Sequence, residues 1–307
     1  MARGLVRGAG SGVTERRAYL IAGGGGMLGT ALQRVLGNHR LRYSAPLEFD
    51  FDITDEELIA LRVAEFVEAL RPGERGVLVN AAAYTNVERA EDEPDNAYLV
   101  NETGPRMLAD AARRTALDFV HVSTDFVFDG TKTGPYVETD EPHPLSVYGA
   151  SKLAGERAVL AENPWALIVR TAWVFGPGGN NFPGKILSAA RSNPTLRVVT
   201  DESGSPTYTL DLATGIVGLV DAQARGVFHL AGSGSCTRFE LARETLALAG
   251  VSDVTLEPVT SGEFPTKAAR PANSVLDCSK ASGLGVAMPP WRDALARFVA
   301  ETEGADA

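Results

Sequence analysis

Short apolar runs alternate along most of the chain with longer stretches in which apolar residues recur every three or four positions. The short runs, such as residues 18–22 and 76–80, have the length of buried strands, and the longer stretches have the spacing of amphipathic helices. Strands that alternate with helices build a parallel sheet with helices on both faces. The pattern therefore predicts an α/β fold with a doubly wound parallel sheet.

The same pattern places further elements along the chain. They are strands at about residues 40–44 and 226–231 and helices at about 96–115 and 209–222. Thr54 and Glu57 have the spacing of a capping box, so a helix is expected to start there and to run to about Leu70. Asp52 and Ile53 are expected to end the extended segment that precedes this helix.

The alternation loosens after about residue 173, where loops rich in Pro and Gly separate the apolar stretches. We therefore predict a flexible N-terminal extension, a sheet domain and a smaller, discontinuous C-terminal lobe. In residue numbers these are 1–17 for the extension, 18–172 with 207–233 for the sheet domain, and 173–206 with 234–307 for the lobe. The lobe is expected to close over the strand ends.

The composition narrows the choice of partners. The 307 residues carry a formal net charge of -10, which disfavours a nucleic-acid backbone as partner and means that an anionic ligand must be held by locally placed cations. No apolar run reaches the roughly 18 residues that a membrane helix needs. Two cysteines and four histidines show no metal-ligand spacing. We expect a cytoplasmic protein with reduced thiols, without a membrane span or a metal.

A run of four glycines follows the first predicted strand directly. Within it and the helix that comes next, Gly23, Gly26 and Gly29 have the spacing G-x-x-G-x-x-G. Missing side chains let the backbone approach a pyrophosphate, and the unpaired N–H groups of the helix N-terminus can bind it. We expect a dinucleotide cofactor here. Arg42 and Ser44, near the end of the second strand, would tolerate a 2′-phosphate, which favours NADPH and leaves NADH open.

Two other strand ends carry candidate site residues. Small residues, 81–83, follow the third strand and are either neighbours of the cofactor or packing residues. Ser123, Thr124 and Asp125 stand at the exit of a later strand. Their hydroxyls could polarise a substrate carbonyl, and the alternative is that they cap a turn.

Tyr148 and Lys152 lie four residues apart at the predicted start of a helix, so their side chains share one helical face. An ammonium beside a phenol favours the phenolate and lowers a tyrosine pKa of about 10. We therefore expect Tyr148 to act as a proton donor and Lys152 to tune it. The alternative is an ordinary solvent-exposed helical face.

Several motifs occur together and in order. They are G-x-x-G-x-x-G after the first strand, V-N-A-A-A-Y-T-N-V-E-R-A-E, S-T-D-F-V-F-D-G, V-Y-G-A-S-K-L-A-G-E, R-T-A-W-V-F-G, N-N-F, G-S-P-T and R-P-A-N-S. Across nearly all of residues 18–300 the chain resembles the extended short-chain dehydrogenase/reductases, and within them the dTDP-4-dehydrorhamnose reductases. The resemblance implies a Rossmann-type domain and a smaller substrate lobe. A homodimer is one possible assembly, and the sequence leaves the oligomeric state open.

What the resemblance implies for chemistry is reduction of the C4 ketone of a dTDP-4-keto-6-deoxy sugar by NADPH or NADH. Tyr148 and Lys152 match the catalytic pair, and Thr124 matches the hydroxyl of the active-site triad. The residues that match cofactor-lining positions are Gly26, Met27, Leu28, Asp52, Ile53, Ala83, Tyr84 and Thr85. The residues that match sugar-contacting positions are Thr124, Asp125 and Trp173.

Three other functions stay open at this point. Dehydratases of the same fold resemble one another in carrying an Asp-Glu pair where this chain has Asp125-Phe126, so a dehydratase is disfavoured. An epimerase needs only the tyrosine, the lysine and tightly held NAD. A related regulatory subunit binds a synthetase without reductase activity. Turnover of free NAD(P)H would separate a reductase from an epimerase.

A sugar nucleotide brings a pyrophosphate to an acidic protein, so a local cation is required. Arg270 is the candidate, because a guanidinium grips phosphate oxygens bidentately and Pro271 holds the preceding residue extended. The alternative is that Arg270 pairs with an acidic neighbour and only anchors its loop. Lys267 and Lys185 are the next candidates.

Overall fold

A computed structural model describes residues 16–305. Of the predicted extension, residues 1–15 lie outside the described residues, whereas Arg16 and Arg17 already belong to the first strand. The strands are β1 (Arg16–Ala22), β2 (Arg42–Ser44), β3 (Glu74–Asn80), β4 (Asp118–Thr124), β5 (Leu167–Thr171), β6 (Val174–Phe175), β7 (Thr195–Val199), β8 (Ser203–Gly204), β9 (Thr207–Tyr208), β10 (Gly226–His229), β11 (Cys236–Thr237) and β12 (Thr255–Val259).

The α-helices are α1 (Met27–Asn38), α2 (Glu56–Glu68), α3 (Val87–Ala90), α4 (Pro94–Tyr98), α5 (Gly104–Arg114), α6 (Val147–Glu162), α7 (Phe182–Ala190), α8 (Thr209–Asp221), α9 (Arg238–Leu248), α10 (Ser279–Ser282) and α11 (Trp291–Ala305). A π-helical turn, Leu99–Thr103, joins α4 to α5. It interrupts the helix predicted at 96–115. Pro105, which has no N–H to donate, is the second residue of α5.

The central sheet has six strands in the order β2-β1-β3-β4-β5-β10. Every neighbouring pair in it is parallel. The predicted doubly wound fold is confirmed, and the predicted strand near residue 226 does return to the sheet beside β5. The strand order reverses between β1 and β3, and a sheet of this kind binds its ligands at the carboxyl ends of the strands near such a switch point.

Alternate residues of the strands enter two different apolar layers. Tyr19 and Ile21 of β1 pack beneath α1 and α8, whereas Leu20 and Ala22 pack on the opposite face with α2 and α5. Because both faces of the sheet are covered, its strands are near-continuous apolar runs rather than alternating ones. Because helices cover both faces, the carboxyl ends of the strands are held in fixed positions.

The start of α2 differs from the predicted capping box. Asp52 accepts hydrogen bonds from both the backbone N and the Oγ1 of Thr54, so the Thr54 hydroxyl is already used. The helix is capped instead by Asp55, whose side chain accepts from Leu58 N. The residues before α2 form a 3-10 turn, Glu48–Asp50, rather than the expected extended segment.

Asp55→Ala is therefore expected to lower the free energy of unfolding by about 1 kcal/mol, because it leaves an N-terminal N–H of α2 without its partner. Glu57→Ala is the matched control and should change that free energy by less than about 0.5 kcal/mol, as for an ordinary surface site. Urea unfolding of both variants measures this. A larger loss of unfolding free energy in Glu57→Ala than in Asp55→Ala would instead support the capping box predicted for Thr54 and Glu57.

The chain outside the central sheet forms three small two-stranded sheets. β7 pairs in parallel with β12, β8 pairs antiparallel with β11, and β6 pairs in parallel with β9. Except for β9, these strands lie with α7, α9 and α11 in the part of the chain assigned to the smaller lobe, although the division into two domains stays a prediction. Within residues 16–305, none of the helices combines the length and apolar character needed to cross a bilayer.

Candidate active site

A cavity of about 1080 Å³ opens at the carboxyl ends of the central strands. A single small-molecule ligand commonly occupies roughly 300–1,000 Å³, so the cavity has room for a cofactor and a second ligand. The predicted site residues that line it are Gly23, Gly26, Met27, Leu28, Asp52, Ile53, Ala83, Thr85, Thr124, Asp125, Tyr148, Lys152, Trp173 and Arg270. Gly29 and Tyr84 are outside this lining.

The three spaced glycines have different structural roles. Gly23 has φ of +79°, and a Cβ there would lie 2.6 Å from Ala82 N. A Cβ on Gly29 would lie 2.1 Å from Gly23 O, so Gly29 lets α1 pack on the loop rather than touching a ligand. Gly26 is the N-cap of α1 without a side-chain cap, and a Cβ there would meet the protein only at 3.4 Å. The N-terminus of α1 therefore offers an open place for a pyrophosphate.

Tyr84, predicted to line the cofactor, is not part of the cavity lining. The Tyr84 hydroxyl donates to Glu93 at 2.9 Å, and its backbone N donates to Asn101 Oδ1. These bonds attach Tyr84 to the N-cap of α4 and to the π-helical turn. Ala83 and Thr85, on either side, do line the cavity.

Tyr148 lies in the first turn of α6, as predicted, because Ser146 caps the helix by accepting from Gly149 N. Its phenol lies near the hydroxyl of Thr124, and its ring meets Phe126 edge to face at 5.5 Å. Burial raises the pKa of Tyr148 to about 12, against a smaller lowering by the nearby Thr124 hydroxyl. The predicted lowering of this pKa is therefore wrong: loss of hydration outweighs it.

Lys152 does share the cavity-facing side of α6 with Tyr148, yet it binds another group. Its ammonium donates to Val122 O at 2.7 Å, and the residue is 2% exposed. Burial lowers the pKa of Lys152 to about 8, and the charge of Glu156 partly offsets this. Lys152 is thus held by strand β4 and is close to its own titration near neutral pH.

Asp125 follows β4 and is 2% exposed. Its Oδ1 accepts from Thr124 Oγ1 at 3.0 Å, whereas its Oδ2 is buried and has no partner among the described residues. Burial raises the pKa of Asp125 to about 6, and the nearby hydroxyls of Ser274 and Thr124 counteract this. An unpartnered carboxylate oxygen in a cavity wall suits a ligand hydroxyl.

Trp173 is held in an unusual conformation. Its φ is +45°, in the left-handed region, and the guanidinium of Arg238 lies 3.5 Å from the centre of its ring. A Cβ on Gly204 would come within 2.2 Å of the indole, so only glycine fits there. Arg238 also pairs with Glu202 and lines the cavity. The indole is therefore a fixed wall of the cavity.

Arg270 lies in the cavity wall and also forms the acidic pair that was the alternative reading. Its Nη2 donates to Glu88 Oε1 at 2.7 Å. Its Nε is buried without a partner among the described residues. Lys267 pairs with Asp92 and is not in the lining, whereas Lys185 is exposed and is part of it. One nitrogen of Arg270 is thus engaged while another is left for a ligand.

Comparison with known proteins agrees with this geometry. Residues 17–303 match the family model described as RmlD substrate binding domain. The dTDP-4-dehydrorhamnose reductase of Aggregatibacter actinomycetemcomitans is 38% identical over 92% of this chain and 99% of its own length. That of Mycobacterium tuberculosis is 40% identical, covering 94% of each. The chain belongs to the dTDP-4-dehydrorhamnose reductase family.

A solved structure of this reductase family extends the likeness to the fold. The dTDP-4-dehydrorhamnose reductase of Bacillus anthracis, in complex with NADP, has a TM-score of 0.87 and 34% identity, and the match covers 94% of this chain and 99% of that one. The predicted enzyme class, an NAD(P)H-dependent oxidoreductase, is confirmed at the level of the family. NADP in this relative also supports the predicted NADPH.

The residue-level reason given for NADPH is nevertheless wrong. Arg42 opens β2, and its guanidinium binds Glu74 and Ala69 O, at the end of the sheet away from the cavity. Ser44 is exposed and is not part of the cavity lining. Neither residue lines the cavity at the carboxyl ends of the strands.

Arg238 is the functional candidate that the motifs missed. It is the first residue of α9, and the helix starts with a capping box formed by Thr237 and Glu240. That S/T-x-x-E spacing is visible in the sequence and predicts a helix start. It carries no sign that the residue inside it would stack on Trp173.

Proposed function

We propose that this protein reduces the C4 ketone of a dTDP-4-keto-6-deoxy sugar with NADPH. The observation that carries the proposal is that the glycine loop at the end of β1 and the Tyr148–Thr124 hydroxyl pair at the end of β4 open into one cavity. Reduction of a ketone requires a cofactor that donates a hydride and a group that donates a proton. Their convergence supports a reductase.

The residues present fit a nicotinamide dinucleotide. The open N-terminus of α1 at Gly26 would hold the pyrophosphate, and Gly23 keeps the loop close to β3. Asp52, Ile53 and Thr85 would line the rest of the cofactor's path. When bound, the cofactor supplies the hydride.

Tyr148 would be the general acid. As the ketone oxygen gains negative charge, the phenol gives up its proton to that oxygen. The Thr124 hydroxyl, which donates to Asp125 Oδ1 here, would turn to donate to the same oxygen. A pKa of about 12 means that Tyr148 is protonated at neutral pH and ready to donate. The Lys152 ammonium, anchored on Val122 O, would stabilise the phenolate left behind.

Asp125, Trp173 and Arg238 would position the sugar. The free Oδ2 of Asp125 would accept from a sugar hydroxyl, and the fixed indole of Trp173 offers a flat face to the ring. After Asp125 comes Phe126, whose apolar ring packs on Tyr148. A dehydratase would need a second acid at that place, so its absence supports simple reduction.

The test supplies a dTDP-4-keto-6-deoxy sugar and NADPH and identifies the product by NMR. Stoichiometric oxidation of NADPH with a reduced C4 supports the proposal. An isomerised sugar without NADPH consumption would mean an epimerase. No turnover with stable binding to a partner protein would favour the regulatory role. The expected homodimer and cytoplasmic location stay predictions, which light scattering and cell fractionation would check.

Arg270→Lys is expected to raise the KM for the dTDP sugar about tenfold, on the order of 1.4 kcal/mol, because an ammonium keeps the charge but loses the two-nitrogen grip on phosphate. The Kd for NADPH should not change. Steady-state kinetics and calorimetry measure the two quantities.

The matched control is Lys267→Gln, in the same loop but outside the cavity lining, which should leave the sugar KM within about twofold. An unaltered KM in Arg270→Lys would assign Arg270 to anchoring through Glu88. Equal weakening of sugar and cofactor would do the same.

A further inference from the structure

Three residues of α6, spaced by four, lie against three consecutive residues of β4. The Tyr148 phenol lies near the Thr124 hydroxyl, and the Lys152 ammonium donates to Val122 O. The next residue in the series is Glu156, which accepts from Ser123 Oγ at 2.5 Å. The helix face that carries the proton donor is therefore hydrogen-bonded to the strand at the two turns that follow Tyr148.

Glu156 is also the centre of a buried ion pair. Arg170 of β5 donates to it from Nε and Nη2, the latter at 2.6 Å, and the two residues are 2% and 4% exposed. The guanidinium lies over the ring of Phe128 at 5.2 Å. A paired carboxylate this far from water is costly to desolvate, and hydrophobic residues of similar volume often give equal or greater stability. Its presence one turn from Lys152 therefore points to a role besides stability.

We propose that Glu156 is a positioning residue: its carboxylate, held by Ser123 and Arg170, fixes Tyr148 and Lys152 against β4 and keeps a negative charge one helical turn from the ammonium. The inference rests on the catalytic roles proposed for Tyr148 and Lys152. Nothing in the proposed reaction requires Glu156 to touch a ligand, and it is absent from the cavity lining.

The charge of Glu156 acts on Lys152 against burial. Burial lowers the pKa of Lys152, and the Glu156 charge raises it. The other titratable groups on elements around this part of α6 are His121 of β4, Asp125 after β4, Arg170 of β5, Glu102 in the π-helical turn and, near the helix ends, Glu91 and Arg106. His121 is fully buried, and its pKa is well below the usual range, so it is neutral. Glu156 is the anion whose charge raises the pKa of Lys152 and so favours its protonated form.

The charges near Lys152 determine the direction in which the pH profile is expected to shift. Lys152 works protonated, so kcat/KM falls on the alkaline side as it loses its proton. Glu156→Gln removes a nearby anion, lowers the pKa of Lys152 and should move this alkaline limb about one unit toward lower pH. Arg170→Gln removes a nearby cation and keeps Glu156, so it should move the limb toward higher pH. The double variant should return close to wild type.

The experiment records kcat/KM for a dTDP-4-keto-6-deoxy sugar against pH at saturating NADPH. Wild type is measured first, and failure to turn over at all would sink the proposed function rather than this inference. Ser123→Ala is the control, because it removes a bond to Glu156 but leaves both charges, so its alkaline limb should stay in place. Opposite shifts in the two single variants support the proposal.

A purely structural Glu156 would give variants that lose rate or stability while their alkaline limbs coincide with wild type, and that result overturns the proposal. Circular dichroism and NADPH binding check that each variant is folded. If Glu156→Gln does not fold, because Arg170 is then buried without a counter-charge, Arg170→Gln is compared with the double variant. These two differ only at position 156, and equal limbs in them would equally overturn the role of Glu156.

Discussion

Tyr148→Phe is expected to lower turnover at saturating substrate by about 10² or more while the Kd for NADPH stays the same. The change removes the proton donor but keeps the ring, which packs on Phe126 at 5.5 Å. A lost general acid commonly costs 10²–10⁴ in rate. Stopped-flow or steady-state oxidation of NADPH measures the first quantity, and calorimetry measures the second.

Tyr136→Phe is the matched control for this result. Tyr136 is buried, and the change removes its hydroxyl, which donates to Asp129, yet it lies outside the cavity lining. Its turnover should stay near wild type. Near-wild-type turnover in Tyr148→Phe itself would end the assignment of Tyr148 as the acid.

Gly26→Val is expected to abolish NADPH binding without unfolding the protein. A Cβ on Gly26 meets the protein only at 3.4 Å, so the branched side chain would project into the space at the N-terminus of α1 that a pyrophosphate needs. The backbone of Gly26 is in the extended region, which valine adopts without strain. Calorimetry with NADPH and a thermal melt measure the two effects.

Gly37→Val is the control for the cofactor experiment. Gly37 belongs to the same helix, is exposed, and a Cβ there meets nothing within 4 Å. This variant should bind NADPH like wild type. Normal binding by Gly26→Val would show that the glycine turn serves the fold alone.

The predicted site residues that the structure does bring together in one cavity are those set by local spacing. Gly23 and Gly26 follow a buried strand, and Tyr148 and Lys152 are four apart on one helix, so neighbours along the chain determine their places. Because the carboxyl ends of parallel strands share one edge, Thr124 could be expected beside them.

The parts that the sequence missed depend on partners distant along the chain. Arg42 is held by Glu74, and the Arg238 guanidinium stacks on Trp173 and pairs with Glu202, which come from separate segments. No local pattern encodes such pairs. The direction of the Tyr148 pKa was missed for a similar reason, because hydration depends on every element that covers the ring.

The loop at Arg270 has a consequence for how tightly a ligand can be held. Glu88 accepts from the Arg270 guanidinium and from the backbone N–H groups of Lys267 and Ala268. A diphosphate that recruits Arg270 therefore competes with an anion the protein already carries, and swaps an internal partner for an external one. The net free energy of binding is then the difference between the free energies of the two ion pairs. Strong contacts to the bound ligand are therefore compatible with rapid release of the product.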